Sequence, residues 1–205
     1  MTGLSCALEL LNNGFEVELF ESRQEIGNPV RSPGLISDLD QEMIEKSVAK
    51  LTPIGWGMRR EWFEKTLAKR VVTKGGKINL KKTAPPNSID CTGGKSPSPG
   101  WPSKGTQNNL EIWNGGIVIS KDLPTEFEIN TISEDRVCFQ RGDGLVECWI
   151  RGELPQPSQG WLELMQGEHP SNSDLISADH AIITGREIAQ NIIQSRPEVS
   201  NNDSR

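Results

Sequence analysis

The chain has 205 residues, a formal net charge of -6, four cysteines and two histidines. That length carries one ordinary core, or one nucleotide-binding domain with a small extra sheet. The acidic balance supplies no basic stripe for phosphates, which excludes a general nucleic-acid binder, and Cys6, Cys91, Cys138 and Cys148 lack the CxxC spacing of a structural zinc site, so no metal is expected.

In chain order, apolar residues at Leu4, Ala7, Leu8, Leu10 and Leu11 predict a helix over Leu4 to Asn13, which Gly14 ends as a left-handed cap. Phe15 to Glu21 alternates as F-E-V-E-L-F-E and reads as a strand. Helix, tight turn and strand form the second half of a βαβ unit whose first half is absent. Ser22 to Ser37 is a loop rich in glycine and proline. Helices follow over Asp40 to Leu51 and Arg60 to Thr73, the second with Trp62, Phe63, Leu67 and Val71 on one face and Gly75-Gly76 at its end. Short strands are predicted at Lys77 to Leu80 and Ser88 to Cys91, before the turn Thr92-Gly93-Gly94.

After a low-complexity coil over 95–105 the pattern turns to β, with strands at Leu110 to Trp113, Ile117 to Ser120, Glu126 to Ile132, Val137 to Gln140 and Leu145 to Ile150. Arg141-Gly142-Asp143-Gly144 lies between the last two. It reads as a hairpin turn rather than as an adhesion motif. A strand at Trp161 to Met165 leads to a helix from Ala178 to Ile193, and the polar tail beyond it is expected to be disordered. The divisions are thus 1–94, 95–160, 161–193 and 194–205. No signal stretch opens the chain and no apolar run approaches the ~18 residues of a membrane span, so a reducing, cytoplasmic setting is expected. Peripheral membrane contact stays open. Cys91 and Cys138 fall in strand-like runs and are expected to be core thiols; His169 and His180 are expected at the surface, and no acid–base pair is identifiable.

A dinucleotide-binding unit needs a helix starting at the pyrophosphate, a glycine that lets backbone approach it, and a strand-end acid for ribose hydroxyls. Gly3 opens the first helix, and Glu21 ends the strand eighteen positions later, near the ~20 the fingerprint expects. An ordinary helix-turn-strand with a strand-end carboxylate would read the same way.

Further strings sharpen this. GLSCALELLNNGFEVELFE, GNPVRSPGLIS, RREWFEKTLAKR, SIDCTGG and the closing ELMQGEHPSNSDLISADHAIITGREIAQNII occur in the order found in FAD-dependent oxidoreductases. Together they resemble the geranylgeranyl reductase and flavin monooxygenase-like family, here truncated at the N-terminus and shortened. The resemblance implies an α/β chain: a Rossmann-like FAD-binding domain with its first strand missing, plus a small antiparallel β substrate-type subdomain. It implies FAD held by Gly3, Glu21, Arg31, Arg60, Asp90, Gly93, Gly167 and Glu168, and a small apolar substrate such as a prenyl group, with catalytic residues and oligomeric state left unassigned. Ser32 replaces the family's cysteine, Glu64 and Glu168 replace aspartates, Cys91 replaces an alanine, and the Pro-x-x-G-x-G turn is absent. A degenerate Rossmann-like interaction module and an NAD(H)-binding protein remain as alternatives.

Overall fold

The computed structural model describes residues 1–37, 48–92, 110–172 and 176–195. Helix α1 (Thr2–Asn12) buries Leu4, Ala7, Leu8 and Leu10, the expected stripe. Gly14, at φ 77, turns the chain back. Strand β1 (Glu18–Glu21) follows, and Leu19 Cδ1 lies 3.9 Å from where a Gly3 Cβ would be. The start of the helix and the end of the strand therefore meet.

Strand β2 (Leu35–Ile36) ends the glycine- and proline-rich loop. The helix expected over Asp40 to Leu51 lies partly outside the described residues, and its last part is instead strand β3 (Ala49–Thr52), paired with β4 (Gly55–Met58). Side-chain hydrogen bonding decides the difference: Thr52 Oγ1 donates to the Gly55 carbonyl at 2.7 Å, closing a tight turn that propensity alone does not show. Strand order in this small antiparallel sheet is β2-β4-β3.

Helix α2 (Arg60–Thr73) has the predicted bounds and buries Phe63, Leu67, Ala68 and Val71. Strand β5 (Lys77–Leu80) returns parallel to β1, with Glu18 opposite Lys77 and Glu21 opposite Leu80. The strand expected at Ser88 to Cys91 is reduced to an isolated bridge at Ile89. Residues 93–109, with the Gly93-Gly94 turn and the coil after it, lie outside the described residues.

Strands β6 (Leu110–Ile119), β7 (Thr131–Ser133), β8 (Arg136–Gln140), β9 (Leu145–Arg151) and β10 (Glu163–Pro170) form an antiparallel sheet in the order β10-β6-β9-β8-β7. Two expected strands merge in β6, because Asn114-Gly115-Gly116 stays in register with β9 and β10. The strand expected over Glu126 to Ile132 shrinks to β7. One face of the sheet packs Trp113, Phe139, Trp149 and Met165 against Leu35 and Ile176, while Phe127 and Trp161 cover the other. Arg141 of the hairpin turn is 2% exposed and pairs with Asp143 and Glu147, so Arg-Gly-Asp is a packed turn.

The last helix, α3 (Ala178–Gln194), lies along α1. Their backbones touch at Gly185, where a Cβ would come within 2.3 Å of the Thr2 carbonyl oxygen. The tail beyond 195 lies outside the described residues. No helix among the described residues is long and apolar enough to cross a membrane.

Candidate functional site

The reversal at Gly14 and the parallel pairing of β1 with β5 place three things at one end of the α/β layer: the amino end of α1, the carboxyl end of β1, and the segment after β5. A Cβ on Gly3 would stand 3.4 Å from Cys91 Cβ, an ordinary contact, so all three elements meet there. The fold itself does not demand glycine at position 3. In open α/β sheets the crevice beyond the strand carboxyl ends is where nucleotides settle, against the donor N–H groups of a helix start.

Glu21 sits at that end and is already held. Its Oε1 accepts hydrogen bonds from Arg23 N at 2.9 Å and Arg23 Nε at 3.0 Å, and its Oε2 accepts from Arg23 Nη2 at 2.9 Å. Hydrogen bonding from Arg23 holds the Glu21 carboxyl below its usual pKa, with burial opposing. The Arg23 side chain is 40% exposed, so this pair lies at the surface. Sequence reading missed this clamp, although an arginine two residues after the strand-end acid was its signal.

Asp90 is turned inward on its own loop: Oδ1 accepts from Thr92 N at 2.7 Å and from Thr92 Oγ1 at 2.6 Å, shaping the turn that carries Cys91. Gly93 lies outside the described residues.

The second group of expected residues is drawn together around the loop over 31–37. Arg31 is exposed, and its carbonyl oxygen lies 2.6 Å from His169 Nε2 and directly over Gly167. Gly167 and Glu168 do not lie beyond the strand expected at Trp161 to Met165. Both lie inside β10, opposite Trp113 and Ile112, because the sheet register carries the strand on to Pro170. Gly167 is buried on the side facing Arg31, and Glu168 is exposed.

Arg60 is buried rather than presented to a crevice. Its Nε donates to Glu64 Oε1 at 2.9 Å and its Nη1 to the Pro33 carbonyl at 2.9 Å. Burial would raise the Glu64 carboxyl, but the Met1 amino group and the Arg60 guanidinium outweigh it and hold it at about 2. One residue further along the loop, Gly34 N donates to Glu147 Oε1 at 3.1 Å, and Glu147 also accepts from Trp149 Nε1 at 2.8 Å and Arg141 Nη1 at 3.2 Å. Burial pushes the Glu147 carboxyl up, and these three donors oppose it. Arg60, Glu147, Gly167 and His169 thus fix the loop from three sides.

Behind the loop lies a cavity of about 280 Å³ lined by Pro33, Leu35, Ser37, Ile132, Val137, Ile176 and Ser177. Five of these are apolar and two carry hydroxyls. Ser37 also ties the loop to α3, donating through N at 2.7 Å and Oγ at 3.0 Å to Asp179 Oδ2. Ala178 stands about two helical turns, ~10 Å, along α3 from Gly185, which touches the start of α1. The cavity and the Gly3–Glu21 end are therefore joined along one helix. Nothing in the local sequence marks the cavity, which forms only when the loop, β8 and α3 come together. Among the described residues no cluster of three or more His, Cys, Asp or Glu could hold a metal ion.

These features define a mixed α/β chain in which a helix–strand layer is backed by an antiparallel sheet. The sequence model of the flavin containing amine oxidoreductase family matches residues 1–35, the stretch from Gly3 through Glu21 to the loop. The structure is similar to that of a geranylgeranyl bacteriochlorophyll reductase-like protein from Thermoplasma acidophilum, at 15% identity over 95% of this chain and 76% of that one, with a TM-score of 0.59. It is also similar to a flavoprotein/dehydrogenase from Cytophaga hutchinsonii, at 12% identity over 94% of this chain and 76% of that one, with a TM-score of 0.54. These likenesses establish a shared fold. A search of curated protein sequences found no match.

Proposed function

We propose that the chain is a flavin-dependent oxidoreductase that holds FAD across the α1–β1 end and turns over a small apolar substrate. The observation that carries this is the packing of Gly3 against Cys91 and against Leu19 of β1, the strand that ends in Glu21, beside a parallel partner strand. A Rossmann-like layer presents its nucleotide the same groups. The stretch matched by the flavin containing amine oxidoreductase family includes Gly3 and Glu21, and both solved structures described above support the same class.

The residues present suit such a cofactor. The start of α1 would face its phosphates, with Gly3 letting the helix pack close on Leu19 and Cys91. Glu21, released by Arg23, would take the ribose hydroxyls. Arg31 is the exposed cation on a loop that four contacts hold still, placed to offset phosphate charge. Asp90 and Thr92 would shape the floor of the crevice. When bound, the flavin ring supplies the hydride or electron transfer. The protein supplies position and a partly open, largely apolar cavity for the substrate. A prenyl-like substrate fits that lining, and a cytoplasmic setting fits four free thiols.

Titration of the protein with FAD, followed by flavin fluorescence and by melting temperature, tests the reading. Saturable one-to-one binding with a raised melting temperature is expected, with NAD(H) giving neither. A melting temperature unmoved by excess FAD would leave an interaction module in place of an enzyme.

A further inference from the structure

The sequence leads one to expect Cys91 in the core, but the structure places it, partly exposed, at the start of α1. A Cβ on Gly3 would lie 3.4 Å from Cys91 Cβ and 4.0 Å from its Sγ, so the cysteine rests on the first turn of the helix. Cys6 stands three positions further on, on the same helix face. The two cysteines pack in one cluster with Leu10, Phe15, Val17 and Ala189. Cys6 is buried at 3% exposure, beneath its partner.

We propose that Cys6 and Cys91 form an oxidisable dithiol that small-molecule disulfides of the glutathione class convert into an intramolecular disulfide, clasping the start of α1 to the segment after β5. Two thiols in one cluster, one reachable and one beneath it, provide an attacking and a resolving sulfur. Access assigns the first attack to Cys91, which is partly exposed while Cys6 is buried.

The Cys91 thiolate attacks one sulfur of the small disulfide, whose S–S bond breaks and releases one thiolate. Cys6, losing its proton, then attacks Cys91 Sγ; the mixed disulfide breaks and the second small thiolate leaves. Two protein thiols are oxidised, one small disulfide is reduced to two thiols, and the two protons end on the released thiols.

The other thiol pair supplies a contrast within the same chain. Cys138 and Cys148 face each other across β8 and β9 with their sulfurs 2.9 Å apart. Both are fully buried, at 1% and 0% exposure, so no reagent reaches them in the folded chain. Access therefore selects Cys6–Cys91.

The test is incubation of the folded protein with oxidised glutathione, alkylation of the remaining thiols, and peptide mass mapping, with the melting temperature measured alongside. A Cys6–Cys91 cross-linked peptide is expected, together with a melting temperature raised by about 5–10 °C and both effects reversed by dithiothreitol. The Cys6→Ala variant should stop at a glutathione adduct on Cys91, and Cys91→Ala should leave Cys6 unmodified. A cross-link confined to Cys138–Cys148, a stable adduct on Cys91 in the unsubstituted chain, or no modification at all would each overturn the proposal. None of these readouts depends on a bound flavin.

Discussion

The carbonyl oxygen of Arg31 lies so close over Gly167 that a Cβ there would come within 2.0 Å of it, nearer than any rotamer change could relieve. Backbone meets backbone, so one partner has to move. The partner is the loop that positions Arg31 and, two residues on, Pro33 at the cavity wall. Gly167→Ala is expected to destabilise the fold by ~2–3 kcal/mol, as overpacking of a filled interior does, and to loosen that loop. Urea denaturation gives the magnitude. A substitution costing under ~0.5 kcal/mol would mean that the loop does not sit on β10.

Gly3 predicts the reverse. A Cβ added there meets only ordinary contacts, the nearest at 3.4 Å, and alanine is the better helix former by ~1 kcal/mol. Gly3→Ala should therefore leave stability unchanged or slightly raised. The methyl group would rest on Cys91 and Leu19, the helix–strand packing side, so FAD affinity should stay within about threefold. A loss of about tenfold or more would mean that this side of α1 faces the cofactor instead.

Glu21 separates binding from folding. Its pairing with Arg23 is part-exposed, and such ion pairs contribute about 0–1 kcal/mol, so Glu21→Gln should barely change the unfolding midpoint. Cofactor affinity should fall by about tenfold or more as an ionised acceptor becomes a neutral amide. Arg23 holds the carboxyl below its ordinary value of 4.5. The ionised acceptor is thus complete at and above that value and is lost as pH falls through the lowered folded one. Affinity that depends on Glu21 should then stay flat from neutrality down to about pH 5. A decline beginning near pH 6 would assign the titration to another group.

The local pieces of this architecture were legible and the long-range ones were not. Helix α2 was readable in its bounds, because Phe63, Leu67 and Val71 mark one face and Gly75 stops the chain, although Trp62, read onto that face, is exposed. Gly3 and Glu21 were readable because their spacing is local. By contrast, Gly115-Gly116 looks like a break in β6. In fact the Trp149 ring lies against one glycine and the Trp161 ring against the other, with atoms 2.7 and 2.3 Å from the missing Cβ positions. Those rings come from far along the chain, Trp149 from β9 and Trp161 from the segment before β10. In the same way, Arg60 was read toward a cofactor from its helix motif, whereas its contact with the Pro33 carbonyl lies 27 residues away in sequence. Periodicity carries no information at that range.

The Glu64 carboxylate, held by the Met1 amino group and by the buried Arg60, is a source of acid sensitivity. The Glu64 carboxyl is held at about 2 against an ordinary 4.5, so its stabilising share is complete above 4.5 and is lost as pH falls toward 2. The share is on the order of 3 kcal/mol. Glu64→Gln should cost most at pH 7, where it leaves Arg60 buried without its carboxylate, and progressively less as pH falls from 4.5. Urea midpoints for both proteins at pH 7, 4.5 and 3 measure the gap. A gap that does not narrow would show that Glu64 is not the titrating group.

Ser5 predicts a gain. It is buried at 3% exposure on α1 beside Gly185, and its Oγ is the one buried side-chain oxygen or nitrogen without a hydrogen-bond partner among the described residues. A hydroxyl stripped of water and given nothing in return costs ~1–3 kcal/mol, and serine is also a weaker helix former than alanine. The α1–α3 contact is too tight for a larger residue, since Gly185 already meets Thr2, Ser5 and Cys6. Alanine keeps the Cβ and removes only the oxygen, so Ser5→Ala should stabilise the fold by ~1 kcal/mol, read as a higher urea midpoint at unchanged slope. If FAD binding then weakened while stability rose, the unpaired oxygen would belong to the cofactor site; a loss of stability would instead mean that the hydroxyl is hydrogen-bonded in solution.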